Sequence, residues 1–129
     1  MTAHGQVGKL ELVDKYWLAA VIDSEGHLSI DRAGGPQLKI VNTNRDFLVR
    51  AQEIMGGRIY PHYMKPHPKH KPGYQLILAR CGEIQKILSE VFDVLIVKKK
   101  AARVMLVLLN RKGKERFPIW KVLKMKGLR

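Results

Sequence analysis

Apolar spacing along this chain switches from a helical period to a two-residue alternation, and makes that switch twice in the same order. Leu10, Val13, Trp17 and Val21 recur at helical spacing, and Leu18, Ala19 and Ile22 widen the stripe to a second face. A helix apolar on two sides needs two packing partners. After Gly26 the pattern alternates: His27-Leu-Ser-Ile-Asp31, a Gly34-Gly35-Pro36 turn and Gln37-Leu-Lys-Ile-Val41 predict a hairpin with Leu28, Ile30, Leu38 and Ile40 inward. Thr43 and Asp46 suggest a capping-box-like start for a second helix through Phe47, Leu48, Ala51, Ile54 and Met55, ended by Gly56-Gly57. The cycle then repeats. Arg58-Ile-Tyr-Pro-His62 and Gly73-Tyr-Gln-Leu-Ile-Leu-Ala79 predict a second hairpin around a basic, proline-rich loop at 63–72. Ile84, Ile87, Leu88 and Val91 mark a third helix, a fourth runs from about Lys98 to Leu109, and Phe117-Pro-Ile-Trp120 opens a short basic helix at about 114–126. This αββαββα order is an α+β plan in which two weakly similar halves share one architecture. A chain of 129 residues can bury one core and hardly two, so residues 1–129 are read as a single domain with its core at about 10–112.

Charge narrows the partner. The 24 Lys and Arg against 11 Asp and Glu give +13, which implies a polyanion, nucleic acid before a membrane surface. The longest apolar run, 104–109, is too short to span a bilayer and the first residues lack the apolar core of a signal peptide. The expected location is therefore intracellular, in the cytoplasm or nucleoid of a prokaryote or in an organelle matrix, with no membrane partner. Cys81 stands alone, which excludes an internal disulfide and a multi-cysteine zinc cluster. His62, His67 and His70 have prolines between them and no cysteine partner, a poor zinc set.

Where the first helix gives way to the first strand, residues 18–26 read LAAVIDSEG. This segment resembles the LAGLIDADG motif at every position by type: Leu18, Ala19, Ile22, Asp23 and Gly26 are identical to it, and Ala20, Val21, Ser24 and Glu25 are conservative changes. The segment at 40–48, IVNTNRDFL, is similar to the same family's approach to its second helix, and VLIVKKK at 94–100 to its basic turn before the later helix. The resemblance covers roughly residues 10–112. It implies the LAGLIDADG homing-endonuclease fold, with a curved four-stranded antiparallel sheet that binds DNA.

The family's chemistry carries over onto matching positions. Glu25, at the eighth motif position, is implied as the metal-binding carboxylate, with the Ser24 main-chain carbonyl completing the site. Hard oxygen ligands suit Mg²⁺, and Mn²⁺ or Ca²⁺ can stand in for binding. Asn42 matches the position of a Gln or Asn that orients water around the metals, although an amide ending a strand also serves as a cap or turn residue. Lys98 aligns with the basic residue near the scissile phosphate, with Lys99 and Lys100 as rivals and phosphate contacts. Asp23 is assigned a structural role, hydrogen-bonding main-chain amides near the helix ends. Ala20 and Ser24, four apart and small, allow a second helix to approach, with Leu18, Ala19 and Ile22 beside that seam. One motif per chain implies a homodimer that brings two Glu25 carboxylates to its axis.

The sheet face opposite the core carries Ser29, Asp31, Gln37, Lys39, Arg58, Tyr60, His62, Gln75 and Ile77, a mostly polar set suited to base edges in a major groove. The implied function is Mg²⁺-dependent, site-specific hydrolysis of both strands of a long pseudo-palindromic double-stranded DNA site, leaving short 3′ overhangs. Two alternatives use the same basic surface without cutting: a maturase of this fold acting on intron RNA, and a non-catalytic nucleic-acid-binding protein.

Overall fold

The computed structural model describes residues 10–31, 34–62 and 73–111. Helix α1 (Leu12–Glu25) runs directly into strand β1 (Gly26–Ile30), followed by β2 (Pro36–Asn42), α2 (Arg45–Met55), β3 (Arg58–His62), β4 (Gly73–Leu78) and α3 (Cys81–Val91). A short 3₁₀ turn at Phe92–Val94 then leads to α4 (Lys99–Leu108). The αββαββα order stands, with α4 after it. The loop at 63–72 and the helix expected at about 114–126 lie outside the described residues.

The four strands form one antiparallel sheet in the order β1-β2-β4-β3. Its inner face is the alternation expected after Gly26: Leu28, Ile30, Leu38, Ile40, Leu76 and Leu78 are buried, and Ile59 packs beside them partly buried. Helices α1 to α4 cover that face with Leu18, Ile22, Leu48, Ile84, Ile87, Leu88 and Met105, all fully buried. Each such side chain contributes roughly 1.5–3 kcal/mol of burial, and together they leave the sheet's other face for solvent or a ligand. No helix among the described residues is long and apolar enough to cross a membrane.

Two local junctions set the geometry. Glycine is required at 26 because a Cβ there would lie 2.7 Å from the Ile22 carbonyl oxygen, so the strand can leave α1 without a gap. Helix α1 therefore persists to Glu25, three residues past Ile22, where helical apolar spacing ends. Gly57 has φ +92 and a Cβ there would meet the Ile77 carbonyl at 2.7 Å, which lets α2 turn tightly into β3. The cap of α2 is Asn44 rather than Thr43: its side chain accepts from the Phe47 amide at 3.2 Å. Both residue types cap helices, and only the backbone geometry separates them.

Candidate active site

Glu25 is the last residue of α1 and Asn42 the last of β2, and the chain's path brings them together. Asn42 Nδ2 donates to Glu25 Oε2 at 2.8 Å, while Asn42 Oδ1 accepts from the Asn44 amide at 2.7 Å. The second bond fixes which way the amide faces. Asn42 thus shapes the turn into α2, one of the two roles its position allows, and it also holds the carboxylate of Glu25, a contact not expected from the sequence.

A third element closes in from the distant 95–98 turn. Asp23 Oδ2 accepts from the Ile96 amide and Oδ1 from the Lys98 amide, each at 2.9 Å, so Asp23 binds main chain. Lys98, the residue before α4, lines a groove of about 400 Å³ with His27, Leu28, Ser29, Lys39, Val41 and Ala101. The three lysines separate here. Lys99 Nζ lies 5.2 Å above the Phe92 ring and 3.4 Å from the Asp93 carbonyl, and Lys100 is exposed on α4, leaving Lys98 in the groove.

On the motif helix, Leu18 and Ile22 are fully buried and Ala19 is 3% exposed, all within the chain's own core. The surface expected to meet a partner is, for these three, taken up within the single chain by its own core. Ala20 and Ser24 do face outward, and Ser24 folds its hydroxyl back onto the Ala20 and Val21 carbonyls at 2.9 and 3.3 Å. With Leu12 and Tyr16 they form an i, i+4 ridge, and Val13 stands beside it. Leu12, Val13 and Tyr16 are 65%, 75% and 55% exposed, a high price in apolar surface for an isolated helix face. Ile96 and Val97 are exposed as well, in the turn that Asp23 holds at the other end of α1.

The sheet's outer face holds the expected polar set in register. His27, Lys39, Ile77 and Arg58 form one row across all four strands; Val41, Gln75 and Tyr60 form the next, and Ser29 pairs with Gln37. His62 pairs with Gly73 at the outer corner. His27 and Val41 also belong to this face, which the sequence reading does not expect, although their two-residue offset from Ser29 and Lys39 carries the signal. Asp31 has a different position. Its Oδ1 accepts from the Gly35 amide at 2.7 Å, making it part of the β1–β2 turn.

No group of three or more His, Cys, Asp or Glu side chains able to hold a metal occurs among the described residues. What the site offers is one carboxylate with a single oxygen engaged by Asn42, and the Ser24 carbonyl in a last helical turn, where carbonyls lack intrahelical partners. This sparse, hard-oxygen set fits Mg²⁺, which keeps several waters and takes remaining ligands from a phosphate substrate. It does not fit a closed zinc site.

No protein-family model matches the chain, and no curated protein matches it in sequence. Solved structures do. The homing endonuclease I-CvuI in complex with its target is 16% identical with a TM-score of 0.58, over 78% of this chain and 69% of that one. The archaeal intron-encoded homing endonuclease I-Vdi141I complexed with DNA is 23% identical with a TM-score of 0.59, over 76% of this chain and 67% of that one. The LAGLIDADG meganuclease I-CpaMI bound to uncleaved DNA is 18% identical with a TM-score of 0.56, over 74% of this chain and 37% of that one.

Proposed function

From the premise that this chain has the LAGLIDADG homing-endonuclease fold, we propose that it is a site-specific homing endonuclease of the single-motif, homodimeric type. It binds a long pseudo-palindromic double-stranded DNA site and hydrolyses both strands with a divalent metal, leaving short 3′ overhangs. The whole chain is taken as one such unit. The observation that carries this reading is the Glu25–Asn42 hydrogen bond at the point where α1 meets the sheet, with Lys98 lining the adjoining groove.

A bound Mg²⁺ supplies activation of the attacking water and stabilisation of the leaving 3′ oxygen. Glu25 and the Ser24 carbonyl are the residues that would hold it. Asn42 keeps one Glu25 oxygen engaged, which limits the carboxylate to one orientation and leaves the other oxygen for the metal. Lys98 offers an ammonium to offset charge developing on the phosphate oxygens. The Leu12–Tyr16–Ala20–Ser24 ridge supports pairing of two motif helices, which would bring two Glu25 carboxylates to one axis, one for each strand. The outer sheet face, centred on Lys39, Gln75, Arg58 and Tyr60, supplies donors and acceptors for base edges, and the +13 charge per chain supplies phosphate affinity.

The experiment is cleavage of the uninterrupted DNA spanning the gene's own insertion site, with Mg²⁺ or EDTA, beside the same duplex carrying the insertion. Metal-dependent cutting of the uninterrupted duplex alone, with short 3′ overhangs, is expected. Tight binding of the intron RNA with neither duplex cut would replace this reading with the maturase.

A further inference from the structure

We propose that Asp23 is a positioning residue for Lys98, setting through the main chain the lysine's place in the groove it lines with His27 and Val41; this inference rests on the nuclease reading above. Asp23 lies on the last turn of α1, two residues before Glu25. One of its carboxylate oxygens takes the Ile96 amide and the other the Lys98 amide, both at 2.9 Å. Two bonds from one planar group to two amides of the same turn restrain that turn's distance and its tilt together.

The buried Leu95, whose amide bonds the Val91 and Phe92 carbonyls, anchors the start of the turn, and Lys98 accepts from the Ala102 amide at its end. Between them Ile96 and Val97 are 82% and 70% exposed, so little side-chain packing within the chain holds the middle of the turn besides the Asp23 bonds. Lys98 precedes α4 in the N-cap position, and its own side chain makes no capping bond. The Asp23 carboxylate, bonded to the Lys98 amide, also complements the dipole of that helix end. Lys98 and Glu25, the two groups assigned to one phosphate, are therefore both referenced to a single turn of α1. Asparagine could not substitute without loss, because it would aim an NH₂ group at one of the two amides.

The test is a double-mutant cycle in single-turnover DNA cleavage, with metal-free DNA affinity measured alongside. Asp23→Asn should slow cleavage by roughly tenfold or more, since small misplacements of a catalytic group cost up to about a hundredfold, while DNA affinity stays within about threefold. In a Lys98→Ala background the same change should have no further effect. An equal loss in both backgrounds, or a wild-type rate in Asp23→Asn, overturns the proposal while leaving the nuclease reading intact. A wild-type protein that cuts no duplex removes the nuclease reading, and the proposal with it. Should Asp23→Asn fail to fold, amide hydrogen exchange on the wild-type chain decides instead: protected Ile96 and Lys98 amides are expected, and exchange as fast as in a free peptide overturns the clamp.

Discussion

Asn42 donates to Glu25 Oε2 at 2.8 Å while its own carbonyl oxygen is held by the Asn44 amide at 2.7 Å, so the end of β2 dictates the orientation of the carboxylate that ends α1. Removing the amide frees Glu25 without emptying the core. Asn42→Ala should therefore cost about 1–3 kcal/mol of stability, the net worth of its two hydrogen bonds, yet slow DNA cleavage by roughly tenfold to a hundredfold at unchanged DNA affinity. Thermal unfolding and single-turnover kinetics measure the two effects. An unchanged cleavage rate would reduce Asn42 to a turn residue.

Neighbouring residues of α1 should behave oppositely because one faces the core and the other does not. Ile22 is fully buried, and Ile22→Ala should cost about 2–5 kcal/mol of stability. Ala20 is exposed on the ridge, so Ala20→Leu should leave the unfolding midpoint of the monomer unchanged while lowering the sedimenting mass from dimer to monomer. A dimer that survives this change would move the interface off the motif helix.

Two lysines should separate base reading from phosphate attraction. Lys39 sits mid-row on the outer sheet face between His27 and Ile77, and Lys100 is exposed on α4. Lys39→Ala should relax base preference at one position of each half-site, at a cost of about 1–3 kcal/mol. Lys100→Ala should weaken all duplexes alike and lower the magnitude of the dimer's salt slope by about 2, one contact per subunit, from a starting value near −7, the figure for roughly eight neutralised phosphates. Binding titrations across salt on target and scrambled duplexes test both.

Asp93 accepts from Lys15 Nζ at 3.1 Å, and this bond with the lysine's charge holds its carboxyl below the ordinary carboxylate range. The ionised form is thus favoured by folding. Its contribution is present above the unfolded-state pKa and disappears as pH falls through the lowered folded-state value. Asp93→Asn should be less stable than wild type near neutral pH, by a small margin because the Asp93 side chain is largely exposed, and the difference should close below about pH 4. Unfolding curves from pH 7 to pH 2 test this, and a gap that persists at the acid end would contradict it.

Much of the sheet was legible because alternation has only two phases: with Leu28 and Leu38 inward, Ser29, Gln37 and Lys39 could only face out. The motif helix was less so. Leu18, Ala19 and Ile22 were expected at the seam with a partner, but a helix apolar on two sides gives no sign of which face meets its own core. Ala20 and Ser24 were expected there too and do lie outward, while Leu12 and Tyr16, which complete their ridge, are visible only once the buried face is known. Asp31 looked like a base contact by parity, and its role in the turn depends on where Gly35 returns. Asp23's need for main-chain amides could be argued from residue type, whereas the identity of those amides, 73 and 75 residues away, is a property of the folded chain alone.

Glu25→Gln preserves the shape of the side chain while removing the charge that would hold a metal, and so separates DNA binding from metal-dependent cutting. Binding and cleavage of the uninterrupted target duplex are measured together, with wild type alongside. If Glu25 holds the metal, the Glu25→Gln dimer binds DNA within about threefold of wild type, a change under ~1 kcal/mol, and cuts neither strand in Mg²⁺. Cutting by Glu25→Gln at the wild-type rate would contradict that role.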